Sequence, residues 1–180
     1  MGQTVEVSGS SPYPWTFLFG DTPVAGSDSL DHRVARLHQG RRRLVWSVED
    51  LATFAAAALW TYVQVPFVLA QSDVEVEPLG PWREGGETWL RLSVTFPHAT
   101  ATHCPRQVLY VDDNYRLRRH GYTALAFGGW ARAAQYLSAY RDYDGLSFPT
   151  RRRVYPRVPG ARGLRGPQPV WIDVHRVVLR

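Results

Sequence analysis

Residues 88–96 read TWLRLSVTF. Leu90, Leu92, Val94 and Phe96 alternate with Trp89, Arg91, Ser93 and Thr95. Successive side chains of an extended chain point to opposite faces, so this period of two predicts a half-buried strand. The pattern repeats on both sides. Upstream, Val74 to Leu79 is a second strand, with turn residues at 80–86 between the two. Downstream come RQVLYV, an Asp112-Asp113-Asn114 turn, and YRLRRHGYTALAF up to Gly128-Gly129. The stretch AAQYLSAYRDY has alanines that suit a helix. Its Tyr136, Ser138, Tyr140 and Asp142 nevertheless alternate with Gln135, Leu137, Ala139 and Arg141, which favours a strand. LSFPTRRRVY and PVWIDVHRVVL complete the series, separated by a Gly/Pro/Arg-rich loop at 156–169 that is expected to be mobile. Earlier strands are expected at Trp15 to Phe19, Val34 to His38 and Arg41 to Trp46, the last two joined by a turn at Gln39-Gly40.

One segment breaks the period. WSVEDLATFAAAALWTYVQVPFVLAQ carries Ser47 as an N-cap with Asp50 three residues on, which is the capping-box spacing. Glu49 and Asp50 favour the positive end of the helix dipole. Leu51, Phe54, Ala55, Ala58, Leu59 and Tyr62 recur at helical spacing as the expected buried stripe. Pro66 is expected to end or kink the helix. The fold class that follows is mainly β (α+β): a strongly curved antiparallel sheet or partial barrel, closed by one principal helix at about residues 48–65. Residues 1–180 are read as a single domain.

Composition narrows the function. All 21 basic residues of the 180 are arginine, and the formal net charge is +5. A complete absence of lysine reads as GC-rich codon usage. The arginines are scattered apart from knots at 41–43, 118–119 and 151–153, whereas a nucleic-acid surface gathers its charge on one face. No nucleic-acid partner is expected. Cys104 stands alone, so neither a disulfide nor a cysteine-based zinc site can form within the chain. His98, His103 and Cys104 cluster in a loop at a spacing that fits no standard metal site. His32 and His38 read as surface or edge residues. No phosphate-binding glycine loop, dinucleotide fingerprint or HExxH is present, so no cofactor and no metal are expected. No window is long and apolar enough for an integral membrane segment. The first residues, MGQTVEVSGSSPYPW, lack the pattern of a leader, which gives a cytoplasmic expectation.

The order of elements from about residue 70 to 178 is similar to a known family. YVDDNYRLRRHGYTALAFGG, then a strand, then YDGLSFPTRRRVYP resembles the LolA-like and LprG-like lipoprotein-carrier superfamily, in an uncharacterised bacterial branch. The resemblance implies a curved antiparallel sheet wrapped over helices, with a cavity for acyl chains or other apolar ligands. The chain departs from the secreted carriers in lacking an export pattern and a lipobox cysteine.

The candidate site follows from strand alternation. In LSFPTRRRVY, Leu146, Phe148, Thr150, Arg152 and Val154 share one face, so Arg152 points with the apolar set while Arg151 and Arg153 point away. A buried guanidinium needs a partner, either Asp142 or Asp173, or the anionic oxygen of a ligand. His120 and Tyr122 share a face of their strand and are expected to reach Tyr136, Tyr140 or Asp142 on the next. The expected catalytic group is His120, Tyr122 and Asp142. The expected ligand-binding residues are Arg152, Arg119, Tyr136, Tyr140, Trp60, Tyr62 and Phe148. Two functions share this pocket. The first, narrowly favoured, is cofactor-independent acid–base chemistry on an apolar oxygenated molecule, a polyketide-like cyclisation or isomerisation. The alternative is a non-catalytic binder or carrier of a lipid or other hydrophobic molecule.

Overall fold

The structure is a computed structural model, and it describes residues 7–8, 16–19, 22–23, 46–97, 100, 102–157, 163, 166 and 168–177. The strand expected at 34–38, all but Trp46 of the strand expected at 41–46, His32, His38 and His98, and most of the expected mobile loop lie outside the described residues.

The chain divides into two compact units. The first spans Met1–Val74, Phe96–Pro105 and Leu125–Gly128. It holds three short antiparallel strands, β1 (Val7–Ser8), β2 (Thr16–Phe19) and β3 (Thr22–Pro23), and one long helix, α1 (Val48–Val68). The capping box forms: Asp50 N–H donates to the Ser47 hydroxyl, and the Ser47 N–H donates to the Asp50 carboxylate, both at 3.1 Å. Two points differ from the sequence reading. Helix α1 runs through Pro66 to Val68. A proline so near the end removes one bond from the last turn, and its fixed φ is already helical. The buried stripe is also broader than expected: Ala58 and Tyr62 are buried as read from the spacing, Thr53, Ala56, Ala57, Thr61, Val65 and Val68 join them, and Phe54, Ala55 and Leu59 are half-buried. The Thr61 hydroxyl donates to the Ala57 carbonyl at 2.8 Å and so is buried at no loss.

The second unit spans Glu75–Thr95, Arg106–Ala124 and Gly129–Arg180. Its strands are β4 (Glu75–Glu84), β5 (Glu87–Thr95), β6 (Arg106–Val111), β7 (Leu117–Thr123), β8 (Arg132–Tyr143), β9 (Leu146–Pro156) and β10 (Val170–Asp173). They form one curved, unclosed antiparallel sheet in strict sequence order. Each strand pairs with the next in sequence, and tight turns join β4 to β5 and β8 to β9. Register shifts at Pro78/Gly80 and Tyr110/Val111 bend and twist the sheet. Edge strand β4 carries Pro78 and Pro81, which have no N–H to offer another strand.

Two registers of side chains cross all seven strands, one on each face. On one face Pro78, Leu92, Leu109, His120, Gln135, Val154 and Val170 lie opposite one another in sequence order. On the other run Gly80, Arg91, Tyr110, Arg119, Tyr136, Arg153 and Trp171. The first face is apolar with a polar centre. The second alternates arginine with aromatic rings.

Candidate functional site

The arginine face holds a buried ion pair among aromatic rings. Arg119 has no exposed surface. Its guanidinium lies 4.7 Å from the Tyr110 ring centroid, 5.4 Å from Trp82 and 5.5 Å from Tyr136. Its Nη1 donates to Glu84 Oε2 at 2.7 Å. The same carboxylate accepts from the Tyr136 hydroxyl at 2.6 Å and from the Trp82 indole at 2.8 Å. Burial alone would raise the Glu84 pKa. The bonds from Tyr136 and Trp82 and the Arg119 charge outweigh it, and the carboxyl titrates below its ordinary value. Burial and the bond to Glu84 raise the Tyr136 phenol. Arg119 and Tyr136, expected to touch ligand, thus face each other in a closed ionic and aromatic cluster.

The three consecutive arginines divide as follows. Arg153 donates to both Asp173 oxygens, at 2.8 and 3.0 Å, with Trp171 stacked 5.8 Å from its guanidinium. Arg151 is exposed, 3.7 Å from the same carboxylate. Arg152 is buried on the opposite face, its guanidinium 5.3 Å from the Phe148 ring centroid. Asp173 therefore serves the two flanking arginines.

One loop contact closes the arginine face. Gly163 N–H donates to the Tyr136 hydroxyl at 3.2 Å. A Cβ at Gly163 would meet Tyr136 Cε2 at 3.0 Å and Tyr155 Cβ at 3.3 Å. Gly163→Ala must displace a ring that is already held by Glu84. The expected cost is about 1–3 kcal/mol, read as a lower urea midpoint at unchanged slope.

The other face holds the polar centre. The His120 ring bonds to Gln107 Oε1, which makes Nε2 the protonated nitrogen, and it lies 5.1 Å from the Tyr122 ring. Burial, and then the positive field of Arg152, push the His120 pKa down to about 3. Gln135 acts in the other sense, favouring the charged imidazole. The Gln135 amide is fully buried beside this ring. Gln107, His120, Gln135 and Arg152 are all buried. By register no acidic residue occupies a paired position on this face.

Around this centre the face is apolar. Pro81, Leu90, Val111 and Leu117 lie in register, as do Val76 and Val94. Leu109 and Val94 are buried and Leu92 is half-buried. Val76 is 39% and Leu90 49% exposed. The main row thus deepens from an open edge at Pro78 to a sealed amide at Gln135.

The expected site residues are brought together only in part. His120, Tyr122, Arg152 and Phe148 belong to the apolar face. Asp142 sits at the β8–β9 hairpin, where its carboxylate accepts from Gly145 N–H at 3.0 Å. It is seven residues from Gln135, about 23 Å along the strand, and falls on the arginine side by alternation. The Tyr140 hydroxyl donates to the Leu117 carbonyl at 2.6 Å, and burial raises its pKa to about 12. In the first unit, the Tyr62 hydroxyl is 3.2 Å from His103 Nε2, whose ring packs on Phe54, and Trp60 is half-buried. Sequence reasoning passed over Gln135, Gln107 and Glu84. A glutamine between Ala134 and Tyr136 at an inward position was the available signal.

No protein-family model matches the sequence, and no curated protein matches it. Solved structures similar to the chain include a LolA superfamily protein from Nitrosomonas europaea, at 15% identity and a TM-score of 0.41 over 81% of this chain. A DUF1329 family protein from Desulfovibrio piger gives 15% identity and 0.44 over 84%. A domain described as an outer membrane lipoprotein-sorting protein, from Vibrio parahaemolyticus, gives 14% and 0.37 over 47%. The chain spans 59%, 56% and 35% of their respective lengths. The LolA-like resemblance of the sequence is thus met among solved structures, and at this identity it concerns the fold alone. The cytoplasmic expectation does not stand, because the similar structures include a domain described as a putative outer membrane lipoprotein-sorting protein. That expectation rested on the absence of a leader pattern, which observes no compartment. Among the described residues no helix is long and apolar enough to cross a membrane.

Proposed function

We propose that the chain is a non-catalytic binder of a hydrophobic small molecule, held on the apolar face of the seven-stranded sheet. The carrying observation is the strip at the β4–β5 end. Val76 and Leu90 stay exposed beside half-buried Leu92 and Val111, on the face whose centre is sealed. A lone exposed leucine is ordinary, but a connected apolar strip running into a buried row is a surface that an apolar chain would cover. Removing it from water contributes about 25 cal/mol per Å².

The acid–base reading lacks its equipment. An efficient proton shuttle titrates near the working pH. His120 is pushed down to about 3, and the Asp142 carboxylate is engaged in a hairpin turn. The similar structures are described as lipoprotein-sorting and LolA superfamily proteins, which accords with a carrier.

The test is a titration with anilinonaphthalene sulfonate, alongside mass analysis of any small molecule released from protein purified from its own host. Leu90→Asp is expected to weaken probe binding about tenfold, a difference of about 1.4 kcal/mol. It should move unfolding stability by no more than about 0.5 kcal/mol, because the side chain is exposed. A supplied ligand should be recovered unchanged in mass. Absence of probe binding by the wild type, or equal binding by Leu90→Asp, would overturn the proposal, as would recovery of a converted ligand.

A further inference from the structure

We infer that two copies of this chain join through the outer edge of β10, pairing antiparallel about a two-fold axis at Ile172. The two edges of the seven-stranded sheet are unlike. An edge strand is a template for another strand unless something blocks it. On β4, Pro78, Pro81 and the register shift between Pro78 and Gly80 block it. Strand β10 has no proline between Val170 and Asp173, and among the described residues no strand pairs with its outer side.

The backbone shows which groups face outward. Val174 N–H donates to the Thr150 carbonyl at 2.7 Å. Inward and outward groups alternate along an antiparallel strand. Val170, Ile172 and Val174 therefore bond towards β9, while Trp171 and Asp173 turn their N–H and C=O groups to the outer edge. The side chains at this edge are apolar and incompletely covered. Trp171 is 72% exposed, and Val170, Ile172 and Val174 are half-buried.

The occupant follows from symmetry and charge. An axis at Asp173 sets two carboxylates directly opposite each other, which is unfavourable. An axis at Val174 sets Ile172 against the partner's Arg176. An axis at Ile172 sets Val170 against the partner's Val174 and Ile172 against its own counterpart, so β-branched side chains cover one another on one face. On the other face Trp171 meets the partner's Asp173. Trp82 and Trp89 each donate an indole N–H to a carboxylate of this same sheet, and Trp171 repeats that pairing across the axis. Because the β4 edge is blocked, growth stops at two copies instead of running into a fibre.

Sedimentation velocity from about 1 µM to about 1 mM covers the weak association that so short a strand allows. A reversible dimer is expected. Trp171→Pro removes an outward N–H and spares the bonds to β9, and it should weaken the dimer at least about tenfold. Trp171→Ala keeps that N–H and should weaken it less. Cross-linking reads the register without relying on the proline variant to fold. The two Ile172 Cα atoms would lie about 4.5 Å apart, within disulfide reach. Under mild oxidation Ile172→Cys should give a covalent dimer. Val174→Cys, about 13 Å along the strand from its counterpart, should not. Cys104 is buried and does not compete. A chain that stays monomeric throughout, even one that binds an extended peptide at this edge, would overturn the inference. So would open-ended oligomers, a cross-link through Val174→Cys in place of Ile172→Cys, or a dimer that Trp171→Pro leaves intact.

Discussion

Replacing Arg119 by methionine removes about 3–5 kcal/mol from the stability of the sheet. The side chain is fully buried, and its charge is balanced by Glu84 at 2.7 Å. Methionine fills much of the same space but leaves that half-buried carboxylate without its cation. It also leaves three ring faces, those of Trp82, Tyr110 and Tyr136, with no guanidinium between them. Urea unfolding followed by tryptophan fluorescence measures the loss. Arg119→Lys should fall between wild type and Arg119→Met, because an ammonium keeps the charge but cannot present a flat face to several rings. Glu84→Gln should cost less than Arg119→Met, since a neutral amide still accepts from Tyr136 and Trp82. The double variant should cost less than the sum of the singles, which reports the pair directly. A loss below about 1 kcal/mol for Arg119→Met would mean that the cluster is solvated and loose.

Acidification from pH 7 to 5 removes about 2 kcal/mol through His120 alone. In the unfolded chain this histidine takes up a proton near its ordinary value of 6.5, while in the folded sheet it does so only at about 3. Above 6.5 both states are neutral and the group contributes nothing. Between these values the unfolded chain binds a proton that the folded chain refuses, so stability falls with pH across this window. The variant His120→Asn keeps a donor for Gln107 and cannot titrate. Its stability should decline less between pH 7 and 5, by the same margin of about 2 kcal/mol. Equal declines would mean that the imidazole is protonated in the folded state without penalty. They would also return His120 to consideration as an acid.

The strands were legible because alternation is a local property. RQVLYV became Arg106–Val111 residue for residue, and AAQYLSAYRDY settled as β8 despite its alanines. Which side chains meet across strands is not local. Alternation placed Tyr136 within reach of His120, but register sets it opposite Arg119 and on the other face. The extra residue at the Tyr110/Val111 shift is invisible in composition. The absence of lysine hid a second fact. Codon usage explains why every cation is arginine, yet Arg91, Arg119 and Arg153 also make contacts with rings that depend on a planar head. The amide of Gln135 was missed because one glutamine in a strand has no signature until its neighbours are placed.

The two rows also bear on how the chain avoids folding wrongly. In a sheet, a slip of one residue between neighbouring strands moves every side chain of one strand to the opposite face. Here a slip at β7 would carry Arg119 among Leu109 and Leu137 and would push His120 in among the rings. Each such error strands a charge in an apolar layer, so misaligned sheets are penalised at every strand they cross. The alternation of arginine and aromatic rings therefore acts as a proofreading device for assembly, independent of whatever the opposite face holds.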